Sequence, residues 1–166
     1  YLETIKEPIE GVGHFEPLRH YSEVHLYLEP LPQGSGLVFE NQCQNNLEER
    51  YQNLIMTHLQ EKEHLGVLTG SPITDMKITL LGGKAHLKHT EGGDFREATY
   101  RAIRQGLKMT ESVILEPYYK YELVIPTEAL SKVYYALEDY PTPTVVNENN
   151  DITTLHGEAP VLFLTH

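Results

Sequence analysis

The sequence predicts an α+β fold arranged as two consecutive units. In several short segments apolar and polar residues alternate, which is the period of half-buried strands. In three longer segments apolar residues recur every three or four positions, which is the period of amphipathic helices. A new series of such segments starts near Glu116. With 40% hydrophobic residues, a chain of 166 residues is long enough to build a packed core.

The first unit is predicted to open with strands and a helix. The chain starts at Tyr1, without a methionine, in a strand-like segment, so we expect it to belong to a longer protein. Residues 21–30 alternate as a strand, and the turn residues PLPQGSG at 30–36 predict a hairpin with a second strand over 37–42. A helix capped by Asn46 and ended by Gly66 should follow, with its apolar stripe formed by Leu47, Tyr51, Leu54, Ile55, His58 and Leu59.

Another strand and helix complete this unit. Residues 75–81 alternate as a strand, and residues 82–93 have little apolar content and predict a loop. Asp94 and Glu97 have the spacing of a capping box, which opens a helix with an apolar face formed by Phe95, Ala98, Ala102, Ile103 and Leu107. Gly106 weakens the last turn of this helix.

The second unit is predicted to follow the order strand, helix, strand, strand. The strands cover 118–125, 144–146 and 152–155, and the helix opens at Thr127 and ends before the prolines at 141 and 143. This order is the first part of a split βαβ sandwich, which a further helix and strand would complete. We therefore expect the second unit to be incomplete.

Composition excludes several classes of protein. The formal net charge of -11 and the pI near 5.2 argue against a general nucleic-acid binder or a cationic membrane binder. One cysteine, Cys43, allows neither an internal disulfide nor a multi-cysteine metal site. No apolar run approaches the roughly 20 residues that span a bilayer, so we expect a cytoplasmic protein without a membrane partner.

Sequence motifs for nucleotide binding and for a serine nucleophile are also missing. Gly82-Gly83-Lys84 continues into Ala85 rather than serine or threonine, so it is not a phosphate-binding loop. Gly11-Val12-Gly13 lacks the third glycine of a dinucleotide fingerprint and is predicted to be a flexible turn. Ser35 lies in GSG rather than GxSxG.

Nine histidines leave a metal site as an open alternative. His86 and His89 lie three residues apart, near Glu91 and Asp94, and imidazole with carboxylate ligands could hold zinc. HExxH is absent, and solvent-facing loop histidines are the simpler interpretation. A metal-dependent enzyme and a protein-binding module that uses the acidic surface therefore remain as alternatives.

Basic residues are concentrated between Gly82 and Lys108. This segment has six basic and three acidic residues, whereas the rest of the chain has 7 basic and 21 acidic residues. Arg101, Arg104 and Lys108 share one face of the predicted helix. Either this is a solvated helix face, or a local cationic surface on an acidic protein contacts RNA phosphates while nearby histidines contact bases or sugars.

Four segments, in order along the chain, carry a resemblance to a known family. They are PLPQGSGLVFE with its flanks at 31–40, SPITDMKITLLGG at 71–83, HTEGGDFREA at 89–98 and ILEPYYKYELVIP at 114–126. Together they resemble the C-terminal half of elongation factor G-like translational GTPases, and most of all the ribosomal protection proteins of tetracycline resistance. Asp-Phe-Arg at 94–96 and Gly-Glu-Ala-Pro at 157–160 favour that branch.

The resemblance implies a fold and a function. Residues 1–115 would form domain IV of translational GTPases, a ribosomal-protein-like βαβ fold with a left-handed crossover, and residues 116–166 the first part of a ferredoxin-like domain V. Domain IV would contact the decoding centre, at the A site of the small-subunit rRNA, and protect the ribosome from tetracycline. GTP and Mg would bind a missing N-terminal domain, so no cofactor and no catalytic residue is expected here, and the partner is the ribosome rather than DNA. We expect a monomer.

The resemblance also indicates which residues contact RNA. The segments 7–20 and 82–93 match two loops at the tip of domain IV, and glycines at 11, 13, 82, 83, 92 and 93 would let the backbone approach RNA. His86 falls where the translocase has a tip histidine, and Arg96 follows the Asp-Phe of protection proteins. The residues expected to bind RNA are His14, Arg19, His20, Lys84, His86, Lys88, His89 and Arg96.

Both tip loops also depart from the pattern of the tetracycline protectors. GVGHFEPLRHY stands where a proline-rich apolar segment is usual, and His89-Thr90-Glu91 stands where Ser-Thr-Pro is usual. A translocation-type paralogue with another ribosomal task therefore fits the sequence as well as a protection protein does.

Overall fold

The computed structural model describes residues 1–86 and 90–160, which fall into two compact units. The first unit is Tyr1–Leu115, and the second begins at Glu116. In the first unit the strands are β1 (Leu2–Ile5), β2 (Ile9–Phe15), β3 (Ser22–Pro30), β4 (Leu37–Asn41), β5 (Met76–Ala85) and β6 (Ser112–Leu115), and the helices are α1 (Glu49–Gln60) and α2 (Asp94–Met109). The α+β prediction is confirmed.

Four strands of the first unit form a mixed sheet in the order β2-β3-β5-β4. β3 is antiparallel to both β2 and β5, whereas β4 is parallel to β5 and reaches it through α1, which makes a βαβ unit. The predicted hairpin between residues 21–30 and residues 37–42 is therefore wrong. The reason is a buried clamp: the Asp75 carboxylate accepts hydrogen bonds from the backbone N–H of Gly34 (3.1 Å) and Gly36 (3.0 Å), which holds the turn beside the start of β5.

β1 and β6 make a separate two-stranded sheet that ties the two ends of the first unit together. Leu2 pairs with Leu115 and Ile5 with Ser112, in antiparallel register. The strand at Tyr1 is predicted from the sequence, but the strand at 112–115 is not, because four residues after a helix carry too short a pattern.

The core of the first unit lies between one face of the four-stranded sheet and the two helices. β3 contributes Val24, Leu26 and Leu28, which are fully buried and alternate with outward-facing polar residues. The helices supply the opposing layer, which includes Tyr51, Ile55, Leu59, Phe95, Ala98, Ala102, Ile103 and Leu107. Tyr51 and Phe95 join the two helices through rings 4.8 Å apart.

Close packing of α2 on β2 depends on glycine. A Cβ at Gly13 would lie 2.0 Å from the carbonyl oxygen of Ala98, and a Cβ at Gly11 would lie 2.2 Å from that of Ala102. Gly106 on the helix in turn faces the backbone of Gly11. Gly11-Val12-Gly13 is therefore a strand that lies against a helix, so its prediction as a flexible turn is wrong. These two glycines approach α2, and no room remains there for RNA.

The predicted helix caps are wrong. α1 begins at Glu49, three residues after Asn46, and ends at Gln60, well before Gly66. Asp94 is the first residue of α2 rather than its cap, because its carboxylate accepts a hydrogen bond from the Glu91 N–H (2.9 Å) and contacts His20 instead. α2 continues through Gly106 to Met109, since that glycine is buried against β2.

A buried carboxylate organises the loop before β5. Glu3 is 1% exposed and accepts hydrogen bonds from the backbone N–H of Leu68, Thr69 and Ser71, and from the Thr69 hydroxyl. Burial opposes ionisation of Glu3, but these four donors outweigh it, so the pKa of the carboxyl lies below its usual value. The loop 66–71 is thus folded around a single negative charge.

The second unit forms a three-stranded sheet in the order β7-β9-β8. Its elements are β7 (Tyr118–Pro126), a short 3-10 turn (Thr127–Ala129), α3 (Leu130–Ala136), β8 (Thr144–Glu148) and β9 (Ile152–Pro160). β9 lies between β7 and β8 and is antiparallel to both, which is the strand arrangement of a split βαβ motif. Leu137, Leu155 and Ala159 form its buried apolar centre.

Within the described ranges 1–86 and 90–160, no helix is long and apolar enough to cross a bilayer.

We expect Gly13→Ala to lower the free energy of unfolding by about 2 kcal/mol or more, because the new methyl group overlaps the Ala98 carbonyl. Urea denaturation followed by circular dichroism measures this change. Gly93→Ala is the matched control, since its Cβ would meet nothing within 4 Å and its φ of -64 suits any residue. Equal losses in the two variants would contradict the packing argument.

Glu3→Gln should lower the free energy of unfolding at pH 7 by about 1.5–3 kcal/mol, because charge-assisted hydrogen bonds are lost in a buried site. The native pKa is depressed, so the contribution of Glu3 is present above the unfolded pKa near 4.3 and is lost as the pH falls. The difference between wild type and variant should therefore shrink in acid. Exposed Glu63→Gln is the control, and a pH-independent difference for Glu3→Gln would refute this account.

Candidate functional site

Two connections start from neighbouring strand ends at one end of the four-stranded sheet, and we call their described residues the tip: 16–21 between β2 and β3, and 86 and 90–93 after β5. Phe15 pairs with Ser22, and Ser22 with Ala85, so the strand ends that carry the connections are neighbours. The Thr90 hydroxyl joins the connections by donating to the Tyr21 carbonyl (2.6 Å) while it accepts the His86 N–H (2.6 Å). The structure therefore brings together the two segments that the sequence analysis selected.

Both loops are shorter than predicted. Of the segment 7–20, Ile9–Phe15 is strand β2, and of the segment 82–93, Gly82–Ala85 continues β5. The first misassignment arose because glycines at 11 and 13 suggested a turn, whereas they serve helix packing. Residues 87–89, which include the predicted RNA-binding residues Lys88 and His89, lie outside the described residues.

The first connection contains a strained turn. The His20 N–H donates to the Pro17 carbonyl (2.8 Å), and both central residues, Leu18 and Arg19, have positive φ angles of 31° and 81°. Two positive φ values are the pattern of a type I′ turn, which normally uses Asn-Gly because other L-residues are strained there. The Leu18 side chain is 96% exposed. A leucine is thus held in an unfavourable conformation at the surface of the first unit.

Three predicted histidines lie around this turn. His14 is exposed at the end of β2, and its ring contacts Tyr21 edge-on at 6.0 Å. His20 Nδ1 lies 3.2 Å from the Asp94 carboxylate, so the turn is tied to the start of α2. His86 begins the second connection and takes part in the Thr90 bridge. Planar rings and one guanidinium, that of Arg19, are therefore presented at one end of the sheet.

Electrostatically, the described part of the tip is acidic rather than basic. Its residues 16–21, 86 and 90–93 hold one cation, Arg19, against two carboxylates, Glu16 and Glu91. The net positive charge of the segment 82–108 comes mainly from residues beyond these, and Lys88 lies outside the described residues, so the expected cationic tip stays a prediction. The fold separates that charge, because most of the basic residues belong to α2.

Lys84 is directed towards Glu23 on the outer face of the sheet. Its Nζ lies 3.7 Å from the carboxylate, which His25 Nε2 also contacts at 2.5 Å and the Tyr21 hydroxyl donates to. Burial opposes ionisation of Glu23, but these hydrogen bonds and the Lys84 charge outweigh it and lower its pKa. The hydrogen bond to Glu23, with burial, raises the pKa of Tyr21 to about 12.

His25 joins this cluster to the edge strand. Its Nδ1 contacts Glu10 at 3.0 Å, so the imidazole lies between two carboxylates. Burial favours the neutral ring, but the two carboxylates outweigh it and raise the pKa of His25. Glu23 and His25 occupy alternate positions of β3, but the cluster was not predicted from the sequence because Glu10 and Lys84 belong to other strands.

Arg96 is directed away from the tip connections and towards α1. Its Nε lies 3.2 Å from the Glu61 carboxylate, which also accepts the Tyr100 hydroxyl and contacts His58 Nδ1 at 3.1 Å. The Tyr100 hydrogen bond and the nearby positive groups lower the pKa of Glu61. Arg96 therefore fastens the end of α1 to the first turn of α2, and its proposed RNA contact stays a prediction.

Across the part of the chain that the structure describes, no group of three or more histidine, cysteine, aspartate or glutamate side chains is arranged to hold a metal ion. The sequence suggested His86 and His89 as possible zinc ligands. His86 donates its backbone N–H to the Thr90 hydroxyl, and His89 lies outside the described residues.

The first unit is thus a mixed sheet covered by two helices on one face, with two connections that meet at one end. The family model for elongation factor G, domain IV, matches residues 1–111, so the chain belongs to this family.

Known relatives agree with this assignment. The chain is 32% identical over 164 residues to the tetracycline resistance protein TetO of Campylobacter jejuni, and equally to those of Streptococcus mutans and Streptococcus pneumoniae. The alignment covers 96% of this chain and 26% of each relative, so the chain spans about a quarter of their length. A crystal structure of a protein from Thermus thermophilus matches with a TM-score of 0.79 and 25% identity, covering 98% of this chain and 25% of that one.

Replacing the strained pair with the residues that suit the turn, by Leu18→Asn with Arg19→Gly, should raise the free energy of unfolding by about 1 kcal/mol. Chemical denaturation measures the change. Leu18→Ala keeps the positive φ and removes only an exposed side chain, so it should leave stability unchanged. If the Asn-Gly variant is no more stable than Leu18→Ala, the turn is not strained.

Proposed function

We propose that this chain binds the small ribosomal subunit with its tip directed to the decoding centre, at the A site of the rRNA, and that it serves ribosomal protection against tetracycline. The observation that carries the proposal is the contact between residues 16–21 and residues 86 and 90–93 at one end of an elongation factor G domain IV. The 32% identity to proteins named for tetracycline resistance supports the protective role.

Recognition at the tip would rely on shape and stacking more than on charge. Single-stranded rRNA is bound by stacking of bases on aromatic rings or guanidinium planes and by hydrogen bonds to base edges. His14, His20 and His86 supply rings, Arg19 supplies a planar cation, and Leu18 supplies an apolar surface. Lys84 would need to exchange Glu23 for a phosphate, and RNA contacts by Lys88 and His89, which lie outside the described residues, stay expected from the sequence. Strain at functional turns of this kind is maintained because relaxed residues would lose the contact.

The proposed role involves no bond breaking by this chain. Hydrolysis of GTP, with its Mg ion, would be performed by another part of the full-length translational GTPase, and the chain would act as a monomeric ribosome-binding module in the cytoplasm.

A translocation-type role is the second candidate. Both tip loops differ in sequence from the usual pattern of tetracycline protectors, in GVGHFEPLRHY and in His89-Thr90-Glu91. Such a paralogue would bind the same site without removing the drug.

The test is equilibrium binding of the 166-residue chain to 30S ribosomal subunits, with chemical footprinting of the rRNA and release of labelled tetracycline as readouts. Wild type should protect decoding-centre bases and release the drug. Leu18→Asn with Arg19→Gly should weaken binding by about tenfold or more, which corresponds to about 1.4 kcal/mol, although the fold is stabilised. Misfolding cannot then explain the loss.

Leu68→Asn is the matched control, because it removes a half-exposed leucine from the loop at the opposite end of the sheet and should bind like wild type. Protection of the decoding centre without release of tetracycline would favour the translocation-type role. Absence of binding, or a footprint that the Asn-Gly variant leaves unchanged, would overturn the proposed contact.

A further inference from the structure

α2 presents an exposed cationic face along the flank of the first unit. Arg101, Arg104 and Lys108 lie within one arc of the helix, at positions i, i+3 and i+7, and all three are exposed. Glu97 is the acidic residue on the same arc, one turn before Arg101. Residues 97–108 thus have three basic residues and one acidic residue in a chain with a net charge of -11.

The orientation of this face is fixed by contacts to the edge of β2. Arg101 donates to the His14 carbonyl (3.1 Å) and stacks over the Phe15 ring at 5.0 Å, and the Gln105 side chain accepts the Val12 N–H (2.9 Å). These side chains satisfy an edge strand that would otherwise be open to pairing. Together with the contacts of Gly11 and Gly13, they prevent α2 from rotating about its axis, so Arg104 and Lys108 face solvent.

Arg104 and Lys108 differ from the basic residues near the tip. Lys84 lies against Glu23, and Arg96 against Glu61. Within residues 1–86 and 90–160, by contrast, neither Arg104 nor Lys108 has an ion pair or a hydrogen bond. They lie four residues apart, about 6 Å along the axis, on the same side of the helix. Both charges are therefore available to an outside partner.

We propose that this face of α2, which we call the flank, binds the phosphate backbone of ribosomal RNA and supplies most of the salt-dependent affinity of the first unit. The proposal rests on the proposed function. α2 begins at the tip, where Asp94 contacts His20, and runs antiparallel to β2, so Arg104 lies about 15 Å along the helix axis from Asp94. RNA that reaches the tip can continue along the flank.

Charge supports RNA as the occupant. The whole chain is anionic, and the described residues of the tip hold two carboxylates against one cation, so positive charge on this unit is concentrated on the flank. Phosphate contacts provide the electrostatic part of nucleic-acid affinity, whereas contacts to bases provide specificity. In this proposal the flank binds the RNA phosphate backbone and provides affinity, whereas the tip contacts the bases and provides specificity.

The salt dependence of binding to 30S subunits tests this inference. Arg104→Gln with Lys108→Gln should reduce the slope of log affinity against log salt by about 1.4–1.8, since each phosphate contact contributes about 0.7–0.9. Between about 50 and 200 mM salt the variant should lose about tenfold less affinity than wild type. Glutamine is a good helix former and both sites are exposed, so the fold is retained.

Lys120→Gln with Lys132→Gln is the matched control, because it removes two exposed lysines from the second unit and should leave the slope unchanged. An unchanged slope for the Arg104 and Lys108 variant, with normal binding, would overturn the flank contact and leave the proposed function intact. Failure of the wild-type chain to bind 30S subunits would instead refute the proposed function itself.

Site-directed hydroxyl-radical cleavage distinguishes RNA from an acidic ribosomal protein as the partner. An iron chelate is attached at Arg104→Cys in a Cys43→Ser background, which retains a hydroxyl donor towards Asn46 in place of the thiol. Cleavage of small-subunit rRNA from position 104, and not from Lys132→Cys, supports the inference. Bound chain that cleaves no rRNA from position 104 would overturn it.

Discussion

The first unit depends on one steric constraint, the absence of side chains where β2 meets α2. At Gly11 and Gly13 the helix backbone occupies the space that a Cβ would need, and Gly106 completes the contact from the helix side. This close approach fixes the axis of α2 relative to the sheet. It also places Asp94 beside His20 at the tip and directs Arg104 outwards along the flank. Both proposed RNA contacts follow from this one packing arrangement.

Electrostatics in this protein is local, and the fold decides which charges are neutralised. Two carboxylates act as hubs: Glu23 collects Tyr21, His25 and Lys84, and Glu61 collects His58, Arg96 and Tyr100. Each hub has a lowered pKa because hydrogen bonds and positive neighbours stabilise its charge. Lys84 and Arg96 are paired with these two carboxylates and are therefore less available to phosphate. Cations without a carboxylate partner among the described residues, such as Arg104 and Lys108, are better placed to bind a polyanion.

The tip also contains a strained turn. Leu18 and Arg19 occupy a turn that suits Asn-Gly, and the strain is sustained because β2 and β3 pair up to Phe15 and Ser22 and α2 anchors His20. A rigid support of this kind is needed to hold an apolar side chain exposed in an unfavourable conformation. The family assignment to elongation factor G domain IV supports the proposal that this tip contacts ribosomal RNA.

The sequence by itself determined the period of each long element, the α+β class, the family and the two connections that form the tip, because those depend on local side-chain patterns. Only the tertiary structure decided that residues 37–41 pair with β5 rather than β3, since a buried Asp75 clamps the preceding turn. It also decided that the glycines at 11 and 13 contact a helix, and that the outward cations lie on α2. Pairing partners and ion pairs join residues far apart in the chain, and no pattern within one segment encodes which distant residue will lie opposite.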